Sequence, residues 1–226
     1  MPHRTALITG ANRGLGEAIA ARLHELGHHV LLAGRDGAAA AAVAERLGDD
    51  AEAITLDVTD PASVAQVRDK LREVDILVNN AGVLETAGHT PSGVPIDLVQ
   101  REIDVNTLGS WRVSQACLPG MVARGWGRIV MVSSGTATYT YGLFAGTPGY
   151  TVSKVALNAV TSLLAQETEG TGVAVNAVNP GLVRTRMRPD AERTPDEAAA
   201  DIAWVATHPD GGPSGVFFSR RKVIGW

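Results

Sequence analysis

In GYTVSK, residues 149–154, a tyrosine and a lysine stand four positions apart. On a helix, Tyr150 and Lys154 would share one face, a turn apart. A phenol beside an ammonium is either a packing pair or a tuned proton donor. A free phenol ionises near ~10, too high for a base at neutral pH. A neighbouring cation favours the phenolate and moves the group toward the working pH, where it serves as a general acid or base. Taken alone, the pair fits a solvated surface contact equally well.

A second motif lies near the N-terminus. TGANRGLG, residues 9–16, has glycines at 10, 14 and 16, between an apolar run and a helical pattern. Gly10 permits a tight turn, Gly14 lets backbone approach a pyrophosphate, and Gly16 allows close helix packing. Asn12, Arg13 and Leu15 belong to the same turn and count with the cofactor contacts. An NAD site wants a carboxylate at the end of the second strand. Here that position is Gly34, followed by Arg35. Arg13 and Arg35 together suit a 2′-phosphate, so NADP(H) is favoured over NAD. Asp36 stands next along and would take the ribose hydroxyls if the register shifted.

The elements that must carry these groups alternate regularly. Strands are expected at 4–9, 28–34, 51–58, 75–82, 127–134, 172–181 and 215–218. Helices are expected at 14–27, 36–48, 60–74, 97–124, 149–169 and 194–207, with Asp60 and Thr194 as N-caps and Pro61 and Pro195 at N1. Strands apolar throughout imply a parallel sheet covered on both faces. The expected fold is α/β, a single-domain Rossmann-like doubly wound parallel sheet of about seven strands with helices on both faces. Its crevice lies at the carboxyl ends of the strands, where chemistry is to be sought.

The 226 residues carry 20 basic and 24 acidic side chains, for a net charge of −4. That balance gives no polyanion-binding surface and disfavours nucleic acid. The one cysteine, Cys117, excludes an internal disulfide and reads as a core residue. No apolar run approaches the ~18 residues of a membrane span. A cytoplasmic, membrane-free protein is expected. His28 and His29 lack partners at metal-ligand spacing, so no metal site is expected. SRRK, residues 219–222, reads as a solvated basic cluster. Trp226 is expected to pack, on the pocket or on a second chain.

TGANRGLG, DV at 57–58, NNAG at 79–82, VNTLG at 105–109, IVMVSS at 129–134, YTVSK at 150–154 and NPGLVRT at 179–185 occur in that order. Together they resemble the short-chain dehydrogenase/reductases across nearly the whole chain, and carbonyl-reductase-type members in particular. The resemblance implies catalytic roles for Asn106, Ser134, Tyr150 and Lys154. Asn106 would hold a water relaying protons to Lys154, or satisfy backbone groups at a helix kink. Ser134 would hydrogen-bond the substrate oxygen, with Ser133 as the alternative. Asp57 would bind the adenine amino group with Val58 beside the ring. Asn79, Ala81 and Gly82 would line the ribose. Pro180, Gly181, Val183 and Thr185 would contact the nicotinamide. Lys154 would also reach the nicotinamide ribose.

Two departures stand out. Ser134 and Tyr150 are 16 residues apart, more than is common in the family, which enlarges a loop over the pocket. The segment between Thr185 and the helix at 195 is short for a substrate lid.

The leading expectation is an NADPH-dependent reductase of a ketone or aldehyde, with Tyr150 protonating the carbonyl oxygen. The pocket wall would include Leu84, Thr136, Tyr139, Tyr141, Phe144, Leu182 and Met187, and so suit an apolar or aromatic compound. An NAD-dependent alcohol dehydrogenase on the same scaffold is the second reading. A non-catalytic dinucleotide-sensing protein is the third, and it has no need to keep Ser134, Tyr150 and Lys154 together. The resemblance also implies a homodimer or homotetramer.

Overall fold

The computed structural model describes residues 3–226. Strand β1 (Thr5–Thr9) runs into the glycine turn and helix α1 (Gly14–Glu25). Then follow β2 (His29–Gly34), α2 (Gly37–Leu47), β3 (Ala51–Thr55), α3 (Pro61–Gln66), α4 (Arg68–Glu73) and β4 (Ile76–Asn79). The second half comprises α5 (Ile96–Ile103), a π-helical stretch (Asp104–Gly109), α6 (Ser110–Arg124) and β5 (Gly127–Val132). It ends with α7 (Pro148–Glu167), β6 (Val173–Asn179), α8 (Pro195–Ala206), β7 (Phe217–Ser219) and β8 (Lys222–Ile224).

The strands form one sheet in the order β3-β2-β1-β4-β5-β6-β7-β8, parallel except for β8. Strand order reverses between β1 and β4, which opens a crevice beyond their carboxyl ends. Side chains alternate across the sheet. Leu7, Leu31, Leu77, Ile129 and Val175 pack with α6 and α7 through Val113, Met121, Leu157 and Leu164. Ile8, Leu32, Val78 and Val130 pack with α1 and α8 through Ile19, Leu23, Ile202 and Ala203. Both faces are therefore covered, as an all-parallel core requires.

The capping signals act as read. Asp60 accepts the Ala62 N–H at 2.9 Å. Thr194 and Glu197 form a reciprocal capping box ahead of α8. Three elements differ from expectation. The helix at 60–74 is two short helices meeting at Val67, although no glycine or proline lies there. The helix at 97–124 contains a π-helical turn around Asn106. The basic cluster at 219–222 is not merely solvated: it turns the chain into an eighth strand. Ser219 pairs with Lys222, leaving Arg220 and Arg221 as a two-residue turn with φ of 48° and 61°. Such a turn needs positive φ at both positions, normally signalled by Asn or Gly, so Arg-Arg gave no hint of it. Among the described residues, no helix is long and apolar enough to cross a membrane.

Candidate active site

At the carboxyl edge of the sheet lies a cleft of about 910 Å³. The turn after β1 forms one end of it. Gly14 adopts φ +58°, and a Cβ at Gly16 would overlap the Gly10 carbonyl and come within 2.6 Å of Asn80 Nδ2. The turn therefore folds tightly on itself and on the β4 loop. Arg13 occupies the N-cap of α1 and has no acceptor to offer, so the first N–H groups of that helix are left for a ligand. That donor set fits a pyrophosphate. Arg13 and Arg35 both border the cleft, and Arg35 directly follows the last residue of β2. The neighbouring Asp36 accepts the Ala39 N–H at 3.0 Å as the cap of α2.

Asp57 borders the same end. Burial raises its carboxyl pKa, but two hydrogen bonds from Thr59 and the Arg35 charge outweigh that and hold it below the usual range. Gly10, Asn12, Leu15, Val58, Ala81, Gly82, Pro180, Gly181, Val183 and Thr185 also line the cleft.

Asn79 does not line it. Its side chain is buried under the sheet and donates to Ser114 Oγ at 2.9 Å, because strand alternation turns residue 79 toward α6. Asn80 borders the cleft instead, donating to the carbonyls of Thr9 and Gly10. Thr9 Oγ1 in turn accepts the N–H groups of Asn80 and Ala81. Asn106 is likewise buried away from the cleft. Its amide exchanges two hydrogen bonds with the Val83 backbone and donates a third to Ser153 Oγ. Both amide protons are thus spent on protein groups. These bonds satisfy backbone groups at the helical irregularity, and Oδ1, with one bond accepted, keeps a second lone pair on the Gly82 side.

The other end of the cleft gathers Ser134, Tyr150 and Lys154. Ser133 and Ser134 leave β5 pointing opposite ways. Ser133 is buried and donates to Asn158 Oδ1 at 2.6 Å. Ser134 Oγ accepts from both Thr136 N and Thr136 Oγ1, at 3.2 and 3.0 Å. Its own proton is then the group left to donate, and it faces the Tyr150 phenol. Thr136 therefore sets the serine's donor direction, a role that its sequence position did not signal.

Burial pushes the Tyr150 phenol up to about 12, against the pull of the Ser134 hydrogen bond and with a further push from the charge of Glu102. The sequence-based expectation of a phenol lowered by Lys154 is not met. Burial also moves the Lys154 ammonium down, to about 8. Lys154 Nζ donates to the Val132 carbonyl at 2.8 Å and lies 5.6 Å from the Tyr150 ring centroid. A Cβ on Gly82 would stand 3.7 Å from that nitrogen, so the ammonium lies close beside the Gly82 backbone.

Leu84, Thr136, Phe144, Leu182 and Met187 line the outer wall as expected, joined by Arg186 and Arg188. Tyr139 and Tyr141 do not; they are exposed on the outside of the long loop. That loop is tethered midway. The Trp226 carbonyl accepts the N–H groups of Tyr139 and Thr140, and the Trp226 ring stacks on Phe217 with centroids 5.4 Å apart. Thr138 Oγ1 donates to the Gly225 carbonyl at 2.9 Å. Cys117 lies wholly in the core, its thiol pushed up by burial.

A phosphate-binding turn on the first strand of a doubly wound sheet, with Ser, Tyr and Lys at the far end of one cleft, defines a dinucleotide-dependent oxidoreductase scaffold. The family model for short chain dehydrogenase matches residues 4–196, and the chain belongs to that family. It is 38% identical over 195 residues to oxidoreductase UcpA of Escherichia coli strain K12, covering 81% of this chain and 71% of the relative. Its structure is similar to NADPH-bound carbonyl reductase from chicken fatty liver, with a TM-score of 0.87, 26% identity and 100% of both chains covered. It is equally close, at TM-score 0.87 and 28% identity, to 3-ketoacyl-(acyl-carrier-protein) reductase from Brucella melitensis complexed with NADH, covering 96% of each chain.

Proposed function

We propose that this protein reduces a ketone or aldehyde to an alcohol with NADPH. The observation that carries the reading is the saturation of Ser134 Oγ by Thr136, which leaves one hydroxyl proton aimed where a carbonyl oxygen would meet the Tyr150 phenol. The dinucleotide, when bound, supplies the hydride that adds to the carbonyl carbon. Ser134 donates to the oxygen as negative charge builds. Tyr150, a neutral phenol throughout the physiological range, gives that oxygen its proton. Lys154 binds and orients the nicotinamide ribose, with Asn106 and Ser153 bracing the segment behind it. Arg13 and Arg35 bind the 2′-phosphate, and Asp57 takes the adenine amino group.

The two structural relatives bind different coenzymes, so the preference here rests on the two arginines. The outer wall of Leu84, Phe144, Leu182 and Met187 supports an apolar or aromatic substrate. Exposed Leu108, Val152 and Leu163 on the helices around the π-turn and on α7 support association into dimers or tetramers, which sedimentation would measure.

The test is turnover of a panel of apolar aldehydes and ketones with each coenzyme. Tyr150→Phe is expected to abolish reduction while leaving NADPH affinity within about twofold, and turnover that survives would remove Tyr150 as the acid. Arg35→Ala is expected to raise the KM for NADPH ~10-fold or more and leave that for NADH unchanged. A wild-type preference for NADH would instead support the NAD-dependent alcohol dehydrogenase reading.

A further inference from the structure

A carboxylate with no solvent exposure must find donors inside the fold. Glu102 is such a group, on the inner face of α5, and the chemistry described so far does not use it. Its Oε1 accepts the backbone N–H groups of Glu85 and Thr86, at 2.5 and 3.0 Å. Its Oε2 accepts from Thr86 Oγ1 at 2.9 Å. Thr86 Oγ1 then accepts the N–H groups of Gly149 and Tyr150, at 3.1 and 3.2 Å. Those two N–H groups belong to the first turn of α7, where a helix leaves its donors without internal partners. Thr147, at the N-cap itself, is turned to Thr151 instead. The helix that carries Tyr150 is therefore capped by a side chain from another segment, which is held in turn by a buried charge. That charge sits at the positive end of a 20-residue helix, which favours its burial.

We propose that Glu102 is a positioning residue for the reaction, acting through Thr86 to fix the first turn of α7 and hence the place of Tyr150 relative to Ser134. This rests on the reading of Tyr150 as the proton donor. The arrangement demands a carboxylate. All three groups aimed at Glu102 are donors, and the Thr86 hydroxyl has spent its one proton and both lone pairs. An amide in either orientation would set its NH2 against a donor or against a hydroxyl with no lone pair left. The fit is tight as well, since a Cβ on Gly149 would overlap Oε2.

The same carboxylate pushes the phenol pKa up. The charged groups facing the phenol are Lys154 on its own helix and Glu102 on α5. Arg186 and Arg188 stand at the cleft mouth, and Glu85 is turned to Arg101 at 3.5 Å.

The experiment compares the full-length wild type with Glu102→Gln, Thr86→Val and Thr86→Ser, with Tyr150→Phe as the control. Reduction of 4-nitrobenzaldehyde, or of the best compound from the panel, is followed with NADPH across pH. NADPH affinity, urea stability and hydrogen exchange at 149–150 are measured alongside. Glu102→Gln and Thr86→Val are expected to lower kcat ~10- to 100-fold, as a small displacement of a catalytic group does, with NADPH affinity within about twofold. Exchange at 149–150 should quicken in both. Thr86→Ser should restore near-normal kcat, and the double variant should be no worse than either single one. Only Glu102→Gln should move the pH profile, toward acid. Normal kcat in folded Glu102→Gln or Thr86→Val, or a loss that merely tracks the unfolded fraction, overturns the proposal. If Glu102→Gln does not fold, Thr86→Val and its serine rescue decide alone. If Tyr150→Phe still turns over, the functional reading has failed, and exchange at 149–150 still reports whether the cap exists.

Discussion

Replacing Lys154 with methionine keeps the volume of the stem and removes a charge that the fold resists. The side chain is 4% exposed, and burial takes its ammonium from 10.5 to about 8. At about 1.36 kcal/mol per pH unit, holding that charge inside costs about 3 kcal/mol below pH 8. The variant leaves the Val132 carbonyl without its donor, a loss of about 1–3 kcal/mol. Lys154→Met is therefore expected to be as stable as the wild type at pH 7, or up to about 2 kcal/mol more so, while losing its turnover. The sign of the pH dependence follows from the direction of the shift. The folded value lies below the unfolded one, so between pH 8 and about 10.5 the unfolded chain binds more protons. Wild-type stability must rise with pH across that window relative to the variant, which has nothing there to titrate. Urea denaturation of both proteins at pH 7, 9 and 10.5 measures the difference, which should move by about 3 kcal/mol in the wild type's favour. A difference that stays constant from pH 7 to 10.5 would show that the ammonium titrates as it does in water, and would refute the account of the site as a desolvated pair.

The two serines should separate cleanly. Ser134→Ala is expected to lower kcat by ~10²-fold or more with little change in stability. Ser133→Ala should leave kcat near normal and cost about 1–3 kcal/mol, because Asn158 Oδ1 loses its donor; steady-state kinetics with parallel denaturation would check both. His28 is buried, neither ring nitrogen has a hydrogen-bond partner among the described residues, and burial lowers its pKa. Its folded value lies below its unfolded one, so stability present above pH ~6.5 is lost as pH falls through that value. His28→Leu should flatten that acid limb in thermal melts between pH 5 and 8, and an unchanged slope would show that the ring finds a proton acceptor.

Much of the scaffold was legible because strands and helices carry different periods, and because Asp60, Thr194 and the prolines mark helix starts. The phosphate turn and the Tyr150–Lys154 pair could be found from local spacing alone. What the sequence hid depends on direction or on distant partners. One step of strand alternation decides that Asn80, and not Asn79, reaches the cleft. Thr136 orients Ser134 through a loop whose path no pattern encodes. Glu102 did leave a trace: it follows Leu98 and Val99 at helical spacing, which puts a carboxylate on an inward-facing stripe. Its partner Thr86, in an irregular segment, left none. The direction of the Tyr150 shift differs from the one its spacing suggests for a physical reason. Proximity of opposite charges is visible in spacing, but burial is a property of the assembled fold, and here burial wins.

The strap from Thr138 to Thr140 onto Gly225 and Trp226 divides the stretch between Ser134 and α7 into two short spans. The second span is tied back in its turn: Phe144 N donates to the Thr136 carbonyl at 3.3 Å and its own carbonyl accepts from Thr151 Oγ1 at 2.8 Å, so a change of side chain at the rim is felt at both the Ser134 loop and the start of α7.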